Sequence, residues 1–321
     1  MTETAYLPTI CRLTLCWGIS LSLILFSSCS SEDKYDSDRP LVVSTTGMIG
    51  DLIANIGGDS IQSLSLMGPG VDPHLYKATQ GDLAKLRSAD LIVYNGLHLE
   101  GKMGEVLKQL GKVQKVRALG QYIDTSKLLA DPAYPEAYDP HIWFDIHLWS
   151  TTIDSLAKAI IDIKPDAKAY FLENAVDYKL QLGELNQWVY RELKSIPEEQ
   201  RKLITAHDAF KYFGAAYGIQ VRGLQGISTV SEFGLKDRVD LVNYILDHKV
   251  PAIFLETSVS DRNIRSVIEA CRKKGHNVAL GGSLYSDAMG AKNTKAGTYL
   301  GMVSQNVHTI VEALKAGEDE N

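Results

Sequence analysis

The sequence is poor in cysteine, and its four cysteines are badly placed for pairing. Cys11, Cys16 and Cys29 crowd the N-terminus, and Cys271 stands far away. Loss of a leader ending at residue 28 would remove two of them. Lipid on Cys29 would then leave Cys271 alone, which excludes an internal disulfide even in an oxidising compartment. Stability must come from a packed core, and about 290 mature residues are ample for one. Basic excess is also missing. Lys plus Arg number 33 against 39 for Asp plus Glu, a net charge of −6, with a pI near 5.8. Such a chain has no electrostatic footprint for nucleic acid. No apolar run reaches membrane-spanning length: LCWGISLSLILF, residues 15–26, falls short of the ~20 residues a spanning helix needs. Hydrolase signatures are absent too, with no His-Glu-x-x-His and no Gly-x-Ser-x-Gly. There is no internal repeat, low-complexity tract or His-rich run.

The short apolar run fits the core of an export signal, with Arg12 as the basic residue before it. Phe26-Ser27-Ser28-Cys29 follows. Small residues just before a cysteine resemble the lipobox of bacterial lipoproteins, whose Cys carries lipid and becomes the first mature residue. Phe26 departs from the usual aliphatic residue there. An ordinary cleaved signal is the alternative. Removing 1–28 deletes Glu3 and Arg12, so the mature charge stays at −6. Residues 29–40 are polar and charged and read as a flexible tether.

The remainder reads as α/β, two lobes with parallel-type sheets joined by one long rigid backbone helix. Short β-branched runs at 41–46, 61–67 and 91–95 alternate with helical patterns at 48–57 and 79–88. The second half repeats this, with strands at 202–206, 221–224, 252–256 and 277–281, and helices at 235–248, 263–274 and 298–316. Between them, Pro165 opens and Pro197 closes a helix of about 30 residues. Phe171, Ala175, Tyr178, Leu182, Leu185, Val189 and Leu193 form one apolar stripe on it, stepping by three or four. A single stripe flanked by α/β sequence suits a strut between lobes better than a coiled coil. The expected division is an N-terminal lobe at 41–164, the linking helix at 165–197 and a C-terminal lobe at 198–321.

Three histidines sit in turns near the ends of predicted strands. His74 and His141 share an Asp-Pro-His triplet, where proline stiffens the turn that carries the imidazole. His207 follows the strand LITA, and Asp287 lies in the turn Ser286-Asp287-Ala288-Met289-Gly290. Open α/β sheets bind ligands at the carboxyl ends of their strands, so two facing lobes would bring these four together. Their wide spacing matches no local metal motif, and each histidine taken singly reads more readily as structural. His98, His147, His248, His276 and His308 are left in that class, His98 being the least secure.

The turns DPHLY, DPHIWFD, TAHDAF and LYSDAMG, with YNGLHLEGKM and GTYLGMV, resemble the TroA-like family from about residue 41 to 314. These are the metal-binding receptors of zinc and manganese ABC transporters. The resemblance implies two α/β lobes on a backbone helix and metal ligands at His74, His141, His207 and Asp287. It also implies one divalent ion as cargo, a permease and its ATPase as partners, and a monomeric, exported, lipid-anchored receptor that catalyses nothing. Some relatives carry Glu at the third position, where this chain has His207. The long His- and acid-rich loop of many zinc-dedicated relatives is missing, since 121–139 holds no histidine. The His₃Asp set therefore leaves zinc and manganese both open: imidazole suits zinc, and a bidentate Asp287 would give a five-coordinate site able to take manganese. Glu256 is expected either to offset the ion's charge from behind the ligands or to be a plain strand-end acid. Glu232 is expected to be a surface residue or to face the transporter. Asp208 is expected to cap a helix. Two rival functions stay open: a surface adhesin with a structural metal site, and a zinc hydrolase, which four protein ligands would disfavour by closing the site to water.

Overall fold

The computed structural model describes residues 1–2, 38–131, 136–230 and 233–315. The leader, Cys29, most of the tether and Glu232 lie outside them. The described residues from 38 to 315 belong to one compact unit.

The first half is built from β1 (Leu41–Ser44), α1 (Gly47–Gly57), β2 (Gln62–Ser65), α2 (Gln80–Ser88), β3 (Leu91–Tyr94), α3 (Gly104–Leu110) and β4 (Val116–Ala118). The strands are parallel, in the order β2-β1-β3-β4. A helix between successive strands makes the crossover that parallel pairing requires. Alternate side chains serve two layers, which is why β1 and β3 read as unbroken apolar runs. Val42, Leu91 and Val93 join the core that contains α1. Leu41, Val43 and Ile92 join a second cluster with Leu86 of α2 and Leu107 of α3. Thr79 caps α2 in a reciprocal box with Asp82, as the sequence suggests. Gly58 ends α1 with φ of +49°.

Next come α4 (Ile146–Ser150), α5 (Ile153–Ile161) and the long helix α6 (Lys168–Lys194). The helix is shorter than the expected span, because Pro165–Ala167 coil into a separate 3-10 turn. The seven stripe residues are all buried, in the same cluster as Val42 of the first half and Leu203 and Leu284 of the second. One helix of 27 residues, about 40 Å long, thus supplies core to both halves.

The second half contains β5 (Lys202–His207), α7 (Lys211–Tyr217), β6 (Gln220–Gln225), α8 (Leu235–Asp247), β7 (Ala252–Glu256), α9 (Arg262–Lys273), β8 (Ala279–Leu284) and α10 (Tyr299–Lys315). β5 pairs parallel with β6, and β7 with β8. β8 runs three residues beyond its expected end, through Gly282-Ser283-Leu284, in a stretch whose Gly281-Gly282 pair has poor strand propensity. Pairing with β7 overrides that propensity. A Cβ at Gly281 would lie 2.6 Å from the Phe254 ring. Only glycine permits that approach, and the extension carries the chain on to Asp287.

Candidate metal centre

The two Asp-Pro-His triplets fold alike. Asp72 Oδ1 accepts from the His74 backbone N–H, and Asp139 Oδ1 accepts from that of His141, each at 2.9 Å. The aspartate side chain therefore closes the turn, and the proline stiffens it. His207 is the last residue of β5. Asp287 sits in the turn just after β8. All four side chains are buried, between 0% and 2% exposed, although they come from distant stretches of chain.

Each contributes one potential ligand atom, and these atoms lie within 4.8 Å of one another. Asp287 Oδ1 is 3.4 Å from His141 Nε2. Asp287 Oδ2 is 3.3 Å from His207 Nε2 and 3.6 Å from His74 Nε2. His74 Nε2 and His141 Nε2 are 3.4 Å apart. Both Asp287 oxygens and His207 Nε2 are buried without a hydrogen-bond partner. Orphaned buried acceptors facing imidazole nitrogens are costly unless something satisfies them all. A divalent cation does so, and the donor set of three nitrogens and two carboxylate oxygens fits one.

The far side of two imidazoles is held by acids. His141 Nδ1 is 2.7 Å from Asp139 Oδ1, and His207 Nδ1 is 2.6 Å from Glu256 Oε2. Glu256 Oε1 also accepts from the His207 backbone N–H at 2.8 Å. The acids favour a proton on Nδ1 and leave Nε2 toward the centre, through a hydrogen bond at His141 and through an ion-pair contact without hydrogen-bond geometry at His207. Glu256 thus lies buried behind His207 and is not an exposed strand-end acid. Asp139 was not singled out by sequence, although its place in a repeated triplet was the available signal.

Titration follows the surroundings. Burial drives His74 down to about 3, outweighing Asp287. Burial also opposes the charged form of His141, but Asp139 and Asp287 overcome it and push the imidazole up to about 9. His207 is raised well above its ordinary value, Glu256 and Asp287 outweighing its burial. Asp287 is held well below the carboxylate range by His207 and His141 despite burial. Without a metal, the surroundings therefore favour the protonated form of His141 and His207 beside an ionised Asp287, and the neutral form of His74.

Hydrogen bonds tie the halves together around these residues. Trp143 Nε1 donates to the Ser286 carbonyl at 3.0 Å, and Tyr299 Oη donates to the Trp143 carbonyl at 2.6 Å. Thr229 Oγ1 donates to Asp72 Oδ2 at 2.6 Å. The turn Asn95–Glu100 supports the His141 side, with Asn95 Nδ2 donating to the Pro140 carbonyl at 2.9 Å. Leu97 and His98 there have φ of +53° and +66°. Buried Glu100 holds this strained turn by accepting from the N–H groups of Asn95 and Gly96.

The remaining histidines have other contacts or stay outside the cluster. His98 is exposed. His248 stacks on Tyr244, His276 lies against the Val250 carbonyl, and His308 packs on Trp188. One expectation fails. Asp208 caps no helix; its Oδ1 accepts from the Gly223 N–H at 2.7 Å, and α7 begins three residues later. The reason is that β6 passes so close that a Cβ at Gly223 would lie 2.5 Å from Asp208 N.

Comparison with known proteins agrees with this geometry. Residues 42–313 match the family described as ZnuA, zinc-uptake complex component A, periplasmic. The manganese-binding lipoprotein MntA of Bacillus subtilis is 48% identical over 286 residues, covering 89% of this chain and 93% of that protein. The zinc-binding protein TroA of Treponema pallidum is 46% identical over 285 residues, with coverage of 88% and 92%. The solved structure of that periplasmic zinc-binding protein superposes with a TM-score of 0.84, covering 86% of this chain and 99% of that one. The family works with an ABC permease and its ATPase, and its members are transport receptors rather than enzymes. By sequence, by fold and by the buried His₃Asp cluster, the chain belongs to this ZnuA family of metal-receptor components of ABC transporters.

Proposed function

We propose that the chain captures one divalent cation, zinc or manganese, through His74, His141, His207 and Asp287 and hands it to a membrane permease for import. The observation that carries this reading is the convergence of four buried ligand atoms in which both Asp287 oxygens lack any other partner. Five donor atoms accommodate manganese with Asp287 bidentate, and three imidazoles accommodate zinc. The names of the two relatives, one manganese-binding and one zinc-binding, support the same pair. All four ligands come from one chain, so capture needs a single copy. Residues 41–164 and 198–321 act as the two lobes, with α6 between them as the strut.

Anchoring through lipid on Cys29 belongs to the same proposal. It is supported by the Phe26-Ser27-Ser28-Cys29 sequence and by the lipoprotein named among the relatives. It places the receptor outside the cytoplasmic membrane, beside the permease. The test is uptake of labelled zinc and manganese by cells whose own copy is replaced with the His141→Ala, Asp287→Ala double variant. Uptake falls to background if the receptor reading is right. Undiminished uptake of both ions contradicts it.

A further inference from the structure

The buried stripe of α6 is not its only apolar stripe. Leu172, Val176 and Leu180 are 45%, 57% and 63% exposed. With exposed Ala169 and Gly183 they step by three, four, four and three, a spacing that reads the same in both directions from Val176. Five exposed large hydrophobic side chains, Tyr170, Leu172, Val176, Leu180 and Tyr190, lie on this one helix. An unpartnered apolar stripe of this kind marks an interaction surface.

The palindromic spacing lets the same stripe on a second copy meet it in register. Laid antiparallel with Val176 on Val176, two helices put Leu172 opposite Leu180. Ala169 then falls opposite Gly183, where small residues let the backbones approach. The Gly183 face is open, since a Cβ there would meet nothing within 4 Å. Charges obey the same dyad: Glu173 falls opposite Lys179, and Lys168 opposite Glu184. Within one chain Glu173 and Asp177 are like charges at i,i+4, a mildly destabilising arrangement that a cation from a partner relieves. Lys179 already lies 2.5 Å from Asp154, and its ammonium has protons left for a second carboxylate. Parallel pairing in register would set Glu173 on Glu173 and Lys179 on Lys179, so charge selects the antiparallel form.

We propose that α6 is a self-docking surface through which two copies pair antiparallel about a two-fold axis at Val176. Each copy keeps its own metal centre. The contact from Ala169 to Gly183 spans about 21 Å of helix. One such crossing falls below the ~1,200 Å² of a stable interface. The dimer is therefore weak, and it forms where copies are concentrated, as on a surface that holds them by a tether.

The test is site-directed crosslinking of the full chain with Cys11, Cys16 and Cys29 changed to serine, at a high protein concentration that stands in for the crowding a tether gives; Cys271 is fully buried and stays out of the reaction. Val176→Cys should form a disulfide dimer under mild oxidation about tenfold faster than Val113→Cys, a control site that is more exposed (80% against 57%), because docking raises the local thiol concentration. Glu184→Cys should not crosslink to itself but should crosslink to Lys168→Cys. In sedimentation at low salt, Glu173→Lys should weaken the dimer and added Lys179→Glu should restore it. Equal rates for Val176→Cys and Val113→Cys, or self-crosslinking of Glu184→Cys, would overturn the proposal. Unchanged thermal unfolding of each variant shows that the fold is intact.

Discussion

His141 stands between two carboxylates, Asp139 behind the ring and Asp287 in front of it. The first orients the imidazole, and the second is the group a cation would share with it. Two predictions belong at this scale. Asp139→Asn and Glu256→Gln should each weaken metal affinity about 10- to 100-fold while leaving one ion bound at saturation, because they loosen ligand orientation without deleting a ligand. Competition against a chromophoric chelator measures this; unchanged affinity in both would refute the orienting role. The second prediction concerns pH. With His141 near 9 against an ordinary 6.5, its proton stabilises the metal-free fold fully below about pH 6.5, and that contribution is lost as pH rises through 9. His207 acts in the same direction. The melting temperature of the metal-free protein should therefore fall between pH 6.5 and 9. Metal affinity should rise over the same window, because the ion displaces those protons. Calorimetry in buffers of different protonation enthalpy reads the release directly, and binding with no proton release at pH 7 would contradict the assignment. The four candidate ligands were legible together, through the turn motifs that resemble the family's, and not singly: His74 and His141 sit in Asp-Pro-His turns, His207 ends β5 and Asp287 follows β8. Asp139, Trp143 and Tyr299 were not, because their roles exist only once Ser286 and His141 are neighbours in space.

At the scale of elements, α6 was the most legible, and its burial follows the stripe residue by residue. Leu182→Ala should cost about 2–5 kcal/mol in urea unfolding, since it opens a cavity in the shared core. Exposed Gln181→Ala should cost almost nothing, and equal losses would contradict the facing of the helix. Its second stripe was overlooked because the buried stripe already accounts for a helix that length. Short elements were harder. β4, α3, α4, α5 and α7 have between 3 and 9 residues, too few turns or pleats to show a period. β8 was misplaced because its glycines disguise a strand that pairing with β7 imposes. Trp143→Phe should cost about 1–3 kcal/mol by leaving the buried Ser286 carbonyl unpaired. Metal affinity should fall with it, because that carbonyl belongs to the residue before Asp287.

At the scale of the molecule, one helix contributes to the cores of both halves, and several side-chain hydrogen bonds cross between them at the metal centre. Such a body should change little in overall size when an ion binds. Small-angle scattering should show nearly equal radii of gyration with and without metal, and a large compaction would contradict a strut-like α6. Release is then expected to come from local movement around Ser286–Gly290 rather than from wide opening of the two halves. The central claim is that these four side chains hold one ion, and its most direct test is metal content. The purified protein is stripped, titrated with zinc and manganese separately, and assayed by elemental analysis beside His141→Ala. The account predicts about one equivalent per chain for the unaltered protein and none retained by the variant. Absence of stoichiometric binding of either ion, or full retention in His141→Ala, would contradict it.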